Sequence, residues 1–132
     1  MDGCRGLATA ASRKKLRQKE FCDVRWPSLG LHAVFYNLGG QDACDPRFGR
    51  FSNALITGKR WRTSNGLRIR DAKNALLQRH PRARPSPATR AWWWLVTRIS
   101  PFGESGPYGA LSAKLNRGRV SAFSLVYPAG GD

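Results

Sequence analysis

The sequence predicts an α+β fold, with an antiparallel sheet of about four to six strands and one main helix packed on one face. Three observations predict it. Several short segments alternate apolar with polar residues or are rich in β-branched and aromatic residues, which is typical of strands. Clusters of Gly, Pro, Asn and Ser separate these segments. One segment, at about residues 71–80, instead repeats apolar residues at helical spacing.

The predicted strands lie on both sides of that helix. Before it, a turn at Ser64, Asn65 and Gly66 is expected to join two short strands, because Asn and Gly tolerate positive φ. After it, Arg117 and Gly118 are expected to join the last two strands in a hairpin. The other strand segments are residues 21–26, 31–36, 51–57 and 91–98, and the hairpin strands are residues 110–116 and 119–127.

The helix has recognisable signals at both ends. Asp71 is predicted to be its N-cap, since a side-chain oxygen there accepts from free backbone N–H groups of the first turn. Pro81 is predicted to end it, because proline moves the preceding residue out of the helical region. Two connections flank the next strand: an extended, proline-rich connector at residues 81–90 and a long loop at residues 100–109.

The length of 132 residues fits one domain, predicted at residues 21–132. Residues 1–20 form a basic head with little to bury, predicted to be disordered, with a polyanion-binding arm as the alternative. The formal net charge is +15, from 23 Lys and Arg against 8 Asp and Glu. One interpretation of that excess is a polyanionic partner: nucleic acid, an acidic glycan or an anionic membrane surface. It also fits a proteome rich in arginine, with the charges spread over the whole surface.

The candidate binding residues follow the helix. The connector carries three arginines, and the next strand has three consecutive tryptophans. Neighbouring strand residues point to opposite faces, so two of the tryptophans share one face and the middle one takes the other. The interpretation as a stacking platform for bases or sugars stands beside the interpretation as sheet core. The predicted residues are Arg82, Arg84, Arg90, Trp92, Trp93 and Trp94.

Three cysteines are present, and two of them, Cys22 and Cys44, are predicted to form a disulfide if the compartment is oxidising. Cys4 is then left over. No Cys-x-x-Cys pair occurs, which disfavours a zinc site, and no metal or cofactor is predicted. Asp42 and Asp45 on one loop are a weak signal for a cation.

No residue constellation in the sequence indicates a reaction, so the chain is predicted not to be an enzyme. It has only two histidines and lacks a Gly-x-Ser-x-Gly motif. Its longest apolar run, residues 91–96, is far too short to span a membrane. The chain is expected in the cell envelope or outside the cell if a signal segment lies upstream of Met1, and in the cytoplasm otherwise.

Six features carry a resemblance to a known group. They are WRTSNGLRIRD at residues 61–71, the helix end at His80 and Pro81, WWLV at residues 93–96, SPFG at residues 100–103, LSA at residues 111–113 and GRVSAF at residues 118–123. Together they resemble small exported α+β proteins of unassigned function from high-GC bacteria. Their central motif usually reads GLRVGD, and Arg70 stands here where glycine is usual. The predicted topology is also similar to β-lactamase-inhibitor-protein-like domains and to small lipoproteins of outer-membrane barrel assembly. This second likeness implies an α+β fold and protein binding, and it implies no catalytic residues.

The leading prediction is therefore a non-enzymatic exported domain that binds a protein or cell-envelope partner. The alternative is a basic nucleic-acid-binding module that uses the arginines and the strand at Trp92–Trp94.

Overall fold

The computed structural model describes residues 20–99 and 106–127, so most of the predicted basic head lies outside the described residues. Short strands dominate, with one short helix among the described residues. The elements in chain order are β1 (Phe21–Trp26), a 3₁₀ turn (Pro27–Leu29), β2 (Leu31–Tyr36), β3 (Arg50–Ile56), α1 (Lys73–Arg79), β4 (Arg84–Pro85), β5 (Trp92–Ile99), β6 (Pro107–Asn116) and β7 (Arg119–Val126).

The strands form one sheet of seven, in the order β1-β2-β3-β7-β6-β5-β4, so the α+β class is confirmed and the expected four to six strands are wrong. The extra strand is β4, within the segment predicted to be an extended connector. Its proline made a strand unexpected. Proline is tolerated at a sheet edge, where no ladder hydrogen bond is lost.

Two further boundaries differ from expectation. β6 begins at Pro107, three residues inside the predicted loop, because Pro107, Tyr108 and Gly109 pair with the end of β5. The two short strands expected around Ser64–Gly66 are reduced to one isolated bridge between Arg62 and Arg68. The turn itself forms there, closed by hydrogen bonds from Gly66 N to Thr63 O (2.9 Å) and from Thr63 N to Leu67 O (2.8 Å).

The described chain divides into two compact units, and whether residues 21–132 fold as one domain stays a prediction. The first unit contains residues 20–54 and Tyr127. Within it β1 and β2 pair antiparallel, and every second side chain of β1 is buried, the period expected of a half-buried strand. Its core contains Cys22, Val24, Trp26, Ala33, Ala43 and Ala54.

The second unit contains residues 55–99 and 106–126. Here β4, β5, β6 and β7 pair antiparallel in that order, and α1 contacts β7. The β6–β7 hairpin turns at Arg117 (φ 53°) and Gly118 (φ 75°), and positive φ at both central residues is the geometry whose twist matches the strands. Fully or nearly fully buried side chains of this unit include Leu67, Leu76, Ala113, Val120 and Phe123.

The helix is shorter than predicted, and Asp71 is not its N-cap. The cap position is Ala72, whose extended backbone makes no side-chain cap hydrogen bond. The chain just before the helix is held against β7, because Arg70 N donates to Val120 O (2.7 Å) and Val120 N donates to Asp71 O (2.8 Å). The helix therefore begins only after this bridge. The Asp71 carboxylate instead accepts from Arg68 N (2.9 Å) and closes the preceding turn.

Arg70 has a φ of 79°, a left-handed conformation that favours glycine. For a residue with a Cβ this conformation costs roughly 1–2 kcal/mol. We therefore expect Arg70→Gly to raise the free energy of unfolding by about 1 kcal/mol, measured by urea denaturation. Arg68→Gly is the matched control. It removes the same side chain where φ is not positive, so it should lower stability by about 0.5–1 kcal/mol. Equal losses in both variants would contradict the assigned strain.

Candidate functional site

The tryptophan strand β5 presents its indoles to both faces of the sheet. Trp93 pairs with Ala113 of β6, which in turn pairs with Phe123 of β7, so these three side chains share one face. On that face Lys73, the first residue of α1, places its Nζ 5.0 Å from the centroid of the Trp93 ring. Trp93 thus belongs to the face covered by the helix, and Trp92 and Trp94 to the opposite face.

Trp94 and Arg84 form the clearest pair of predicted binding residues. They are directly opposite each other on β5 and β4, and the Arg84 guanidinium carbon lies 5.2 Å from the centroid of the Trp94 ring. Arg84 is exposed, whereas Trp94 is half-buried. At an exposed site a cation–π contact of this kind contributes about 0.5–1 kcal/mol. The contact holds the guanidinium over the indole before any ligand arrives.

Gly109 fixes the other side of Trp94. A Cβ on Gly109 would lie 2.4 Å from Trp94 Cδ1 and 2.6 Å from Ser112 Oγ, far closer than atoms approach without a shift. Only glycine therefore lets the indole lie directly against the backbone of β6. Trp94 is held between β6 and Arg84, which restricts its orientation.

An open groove of about 380 Å³ runs beside this pair. Three prolines give it rigid apolar walls, Trp94 adds an aromatic surface, and Arg84 adds one positive charge. A surface of this composition suits an extended or ring-shaped group that carries an anion. The described residues that line it are Arg84, Pro85, Pro87, Trp94, Gly106 and Pro107.

Only Arg84 and Trp94 of the six predicted binding residues line this groove. Arg82 is exposed in the turn after α1, and Arg90 is exposed in the turn between β4 and β5. Trp92 is half-buried opposite Lys114 on β6. The lining prolines were not among the predicted binding residues. The signal for Pro85 and Pro87 was available in the proline-rich connector, but the approach of Pro107 depends on the β5–β6 pairing.

The histidine at the end of α1 has a structural role. His80 is buried, and a hydrogen bond joins its Nε2 to Thr63 Oγ1 (2.9 Å). Asn65 Nδ2 donates to Arg79 O (2.9 Å) and lies 3.4 Å from His80 Nδ1. Burial lowers the pKa of His80, so its neutral form is favoured. These contacts tie the Ser64–Gly66 turn to the end of the helix.

The other histidine, His32, pairs with the carboxylate of Asp23 across the β1–β2 hairpin. The sequence predicted His32 to be an exposed strand residue, whereas the structure places it half-buried. The ladder places Arg25 opposite His32 and Val34 opposite Asp23, so the pair is diagonal. A hairpin that turns at residues 27–30 sets this register, so the Asp23–His32 pair could have been predicted from the sequence.

The predicted disulfide between Cys22 and Cys44 is present, with the two Cα atoms 5.0 Å apart. It joins β1 to the loop before β3, and Cys22 lies in the core of the first unit.

The two loop carboxylates that were a weak signal for a cation have hydrogen-bond partners within the loop. Asp42 accepts from Cys44 N (2.9 Å), and Asp45 binds Arg47 at 2.8 Å, which lowers the pKa of Asp45. Over residues 20–99 and 106–127, no group of three or more potential ligands is placed to hold a metal ion.

Searches against protein-family models, curated proteins and solved structures found no match for this chain. The resemblance to small exported proteins therefore stays a prediction. No helix in the described part of the chain has the length and apolar content needed to cross a membrane.

Proposed function

We propose that this chain is an exported, non-enzymatic binding domain that engages a protein or cell-envelope partner through the Arg84–Trp94 groove. The observation that carries the proposal is the guanidinium of Arg84 held over Trp94 beside rigid proline walls. Such a preformed site loses little conformational freedom when a ligand binds. The net charge of +15 favours an anionic partner.

The disulfide supports the export part of the proposal. Disulfides persist in oxidising environments such as the cell envelope and the extracellular space, and they are rare in the cytosol. Cys22 is 1% exposed within a core cluster, so the bridge is built into the packing of the first unit. A bridge in that position suits a protein that works outside the reducing cytosol.

The hydrogen bonds of His80 and Asp71, at the two ends of the helix region, support a non-enzymatic role. His80 is buried between Thr63 and Asn65. The Asp71 carboxylate accepts a backbone N–H and closes a turn. Both side chains therefore make hydrogen bonds within the fold, whereas a general acid or base must reach a substrate proton.

The test is co-sedimentation of the oxidised protein with a cell-envelope fraction from the producing organism. We expect Arg84→Ala to weaken this binding at least tenfold, because hot-spot residues at the centre of an interface, arginines among them, contribute about 2 kcal/mol or more. Arg60→Ala is the control. It removes the same charge from an exposed turn and should change binding less than about twofold. No binding by the native protein, or equal binding by both variants, would overturn the proposal.

A second candidate is binding of single-stranded nucleic acid, favoured by the exposed arginines next to the half-buried Trp92 and Trp94. The same variants decide between the two functions when a single-stranded oligonucleotide replaces the envelope fraction. A nucleic-acid module should bind it tightly at low salt and lose affinity steeply as salt rises. Absence of oligonucleotide binding at low salt would end this candidate.

A further inference from the structure

β5 has an outer edge that the described strands cover only in part. On one side it pairs with β6 from Trp92 to Ile99. On the other side β4 pairs only with Trp93 and Trp94. β4 is this short because the chain before it turns toward α1, with Ala83 N donating to His80 O (2.9 Å). The outward backbone groups of residues 96–99 therefore have no ladder partner among the described residues.

The side chains of this edge are also exposed. Ile99 is 76% exposed and Val96 is 37% exposed, and Thr97 and Arg98 between them are exposed as well. Proteins usually protect such edges with prolines or with strand irregularities. Here Pro85 limits β4, and an irregularity interrupts the register next to Val96. The strand then continues in regular register with β6 and contains no proline over Thr97, Arg98 and Ile99. These residues therefore form an edge to which another strand can hydrogen-bond.

The free edge adjoins the Arg84–Trp94 groove. Ile99 pairs with Pro107, which lines the groove, and the last residue that β4 covers is Trp94, which lines it too. A strand added beside residues 96–99 would lie in line with β4. Alternate side chains of that strand would face the groove side of the sheet.

We propose that residues 96–99 accept an extended acidic segment of another protein, which adds to the sheet as a strand beside β5. Main-chain hydrogen bonds supply affinity in this mode of recognition, and alternate side chains supply specificity. Charge complementarity selects an acidic segment, because Arg98 lies within the edge and Arg84 at its start. The inference rests on the proposed function in one respect, that the partner is a protein.

The probe is a fluorescently labelled peptide of about eight residues that alternates valine and glutamate, a length typical of strands. We expect it to bind the full chain at physiological salt, measured by fluorescence anisotropy. Hydrogen exchange followed by NMR should show protection of alternate amides within residues 96–99 on binding, because neighbouring strand N–H groups point to opposite edges.

Proline variants at two consecutive positions identify the edge. Of Thr97→Pro and Arg98→Pro, one removes an outward N–H and the other an N–H that points toward β6. The outward variant should keep its thermal midpoint and lose peptide binding at least tenfold. The inward variant should instead lower the thermal midpoint. Arg98→Ala controls for the lost charge and should weaken binding less than the outward proline.

Three outcomes would overturn strand addition: no peptide binding, binding without protection of residues 96–99, or the same protection in concentrated protein without peptide. The last outcome would make a second copy of this chain the occupant. None of the three alters the envelope test with Arg84→Ala. Failure of the strand-addition proposal is therefore distinguishable from failure of the proposed function.

Discussion

Replacing both Cys22 and Cys44 by alanine should lower the free energy of unfolding by about 3 kcal/mol. The bridge closes a chain segment with a sequence separation of 22, and its loss releases that segment in the unfolded state. Alanine is chosen because Cys22 is buried among apolar residues, where a serine hydroxyl would add a separate desolvation penalty. A loss of this size is a large fraction of the 5–15 kcal/mol that typically stabilises a domain.

Urea denaturation of the oxidised protein and of the double variant measures the difference. Cys4→Ala is the control, since it leaves the bridge in place and should match the native protein. Alkylation of the protein taken from its native compartment adds a test of export, because only Cys4 should react. Three reactive thiols would contradict export, and equal stability of the double variant would contradict a stabilising bridge.

Leu76→Ala should lower the free energy of unfolding by about 3 kcal/mol, within the range measured for large-to-small changes in protein cores. Leu76 is 0% exposed and is the one buried residue of α1, so its removal leaves a cavity under the helix. The next residue provides a matched control with identical chemistry. Leu77 is 38% exposed, and Leu77→Ala should cost less than about 1 kcal/mol.

Denaturation of both variants under the same conditions separates the two effects. Near-ultraviolet circular dichroism adds a local readout, since Lys73 of the same helix lies over Trp93. Leu76→Ala should change the tryptophan signal, whereas Leu77→Ala should leave it unchanged. Similar losses of stability in both variants would contradict the packing of α1 through Leu76.

Local patterns predicted the strands well wherever alternation and turn residues agreed. β1 and β2 match the expected residues 21–26 and 31–36, and β3 and β7 differ by one residue at their ends. These segments bury one face, so the hydrophobic pattern itself carries the register. β4 was missed because two residues held at a sheet edge by β5 have no local signature beyond the prolines that argue against a strand.

The end of the predicted helix was correct at Pro81, but its start was not. Asp71 has the chemistry of a cap, yet Arg70 and Asp71 form backbone hydrogen bonds with Val120 of β7, about fifty positions along the chain. Residue type alone does not reveal such a distant partner. The same limit applies to the site: Arg84 and Trp94 were named from sequence, whereas the groove needs Pro107 brought beside them by the β5–β6 ladder.

The close approach of Trp94 to Gly109 restricts which substitutions these two positions can accept during evolution. A methyl group at position 109 collides with the indole, so an alanine there is acceptable only after residue 94 has become smaller. Relatives identified in the future should therefore pair a large aromatic at 94 with glycine at 109, and should admit larger residues at 109 only where the aromatic is lost. A larger residue at 109 together with loss of the aromatic at 94 would identify related proteins that lack the groove.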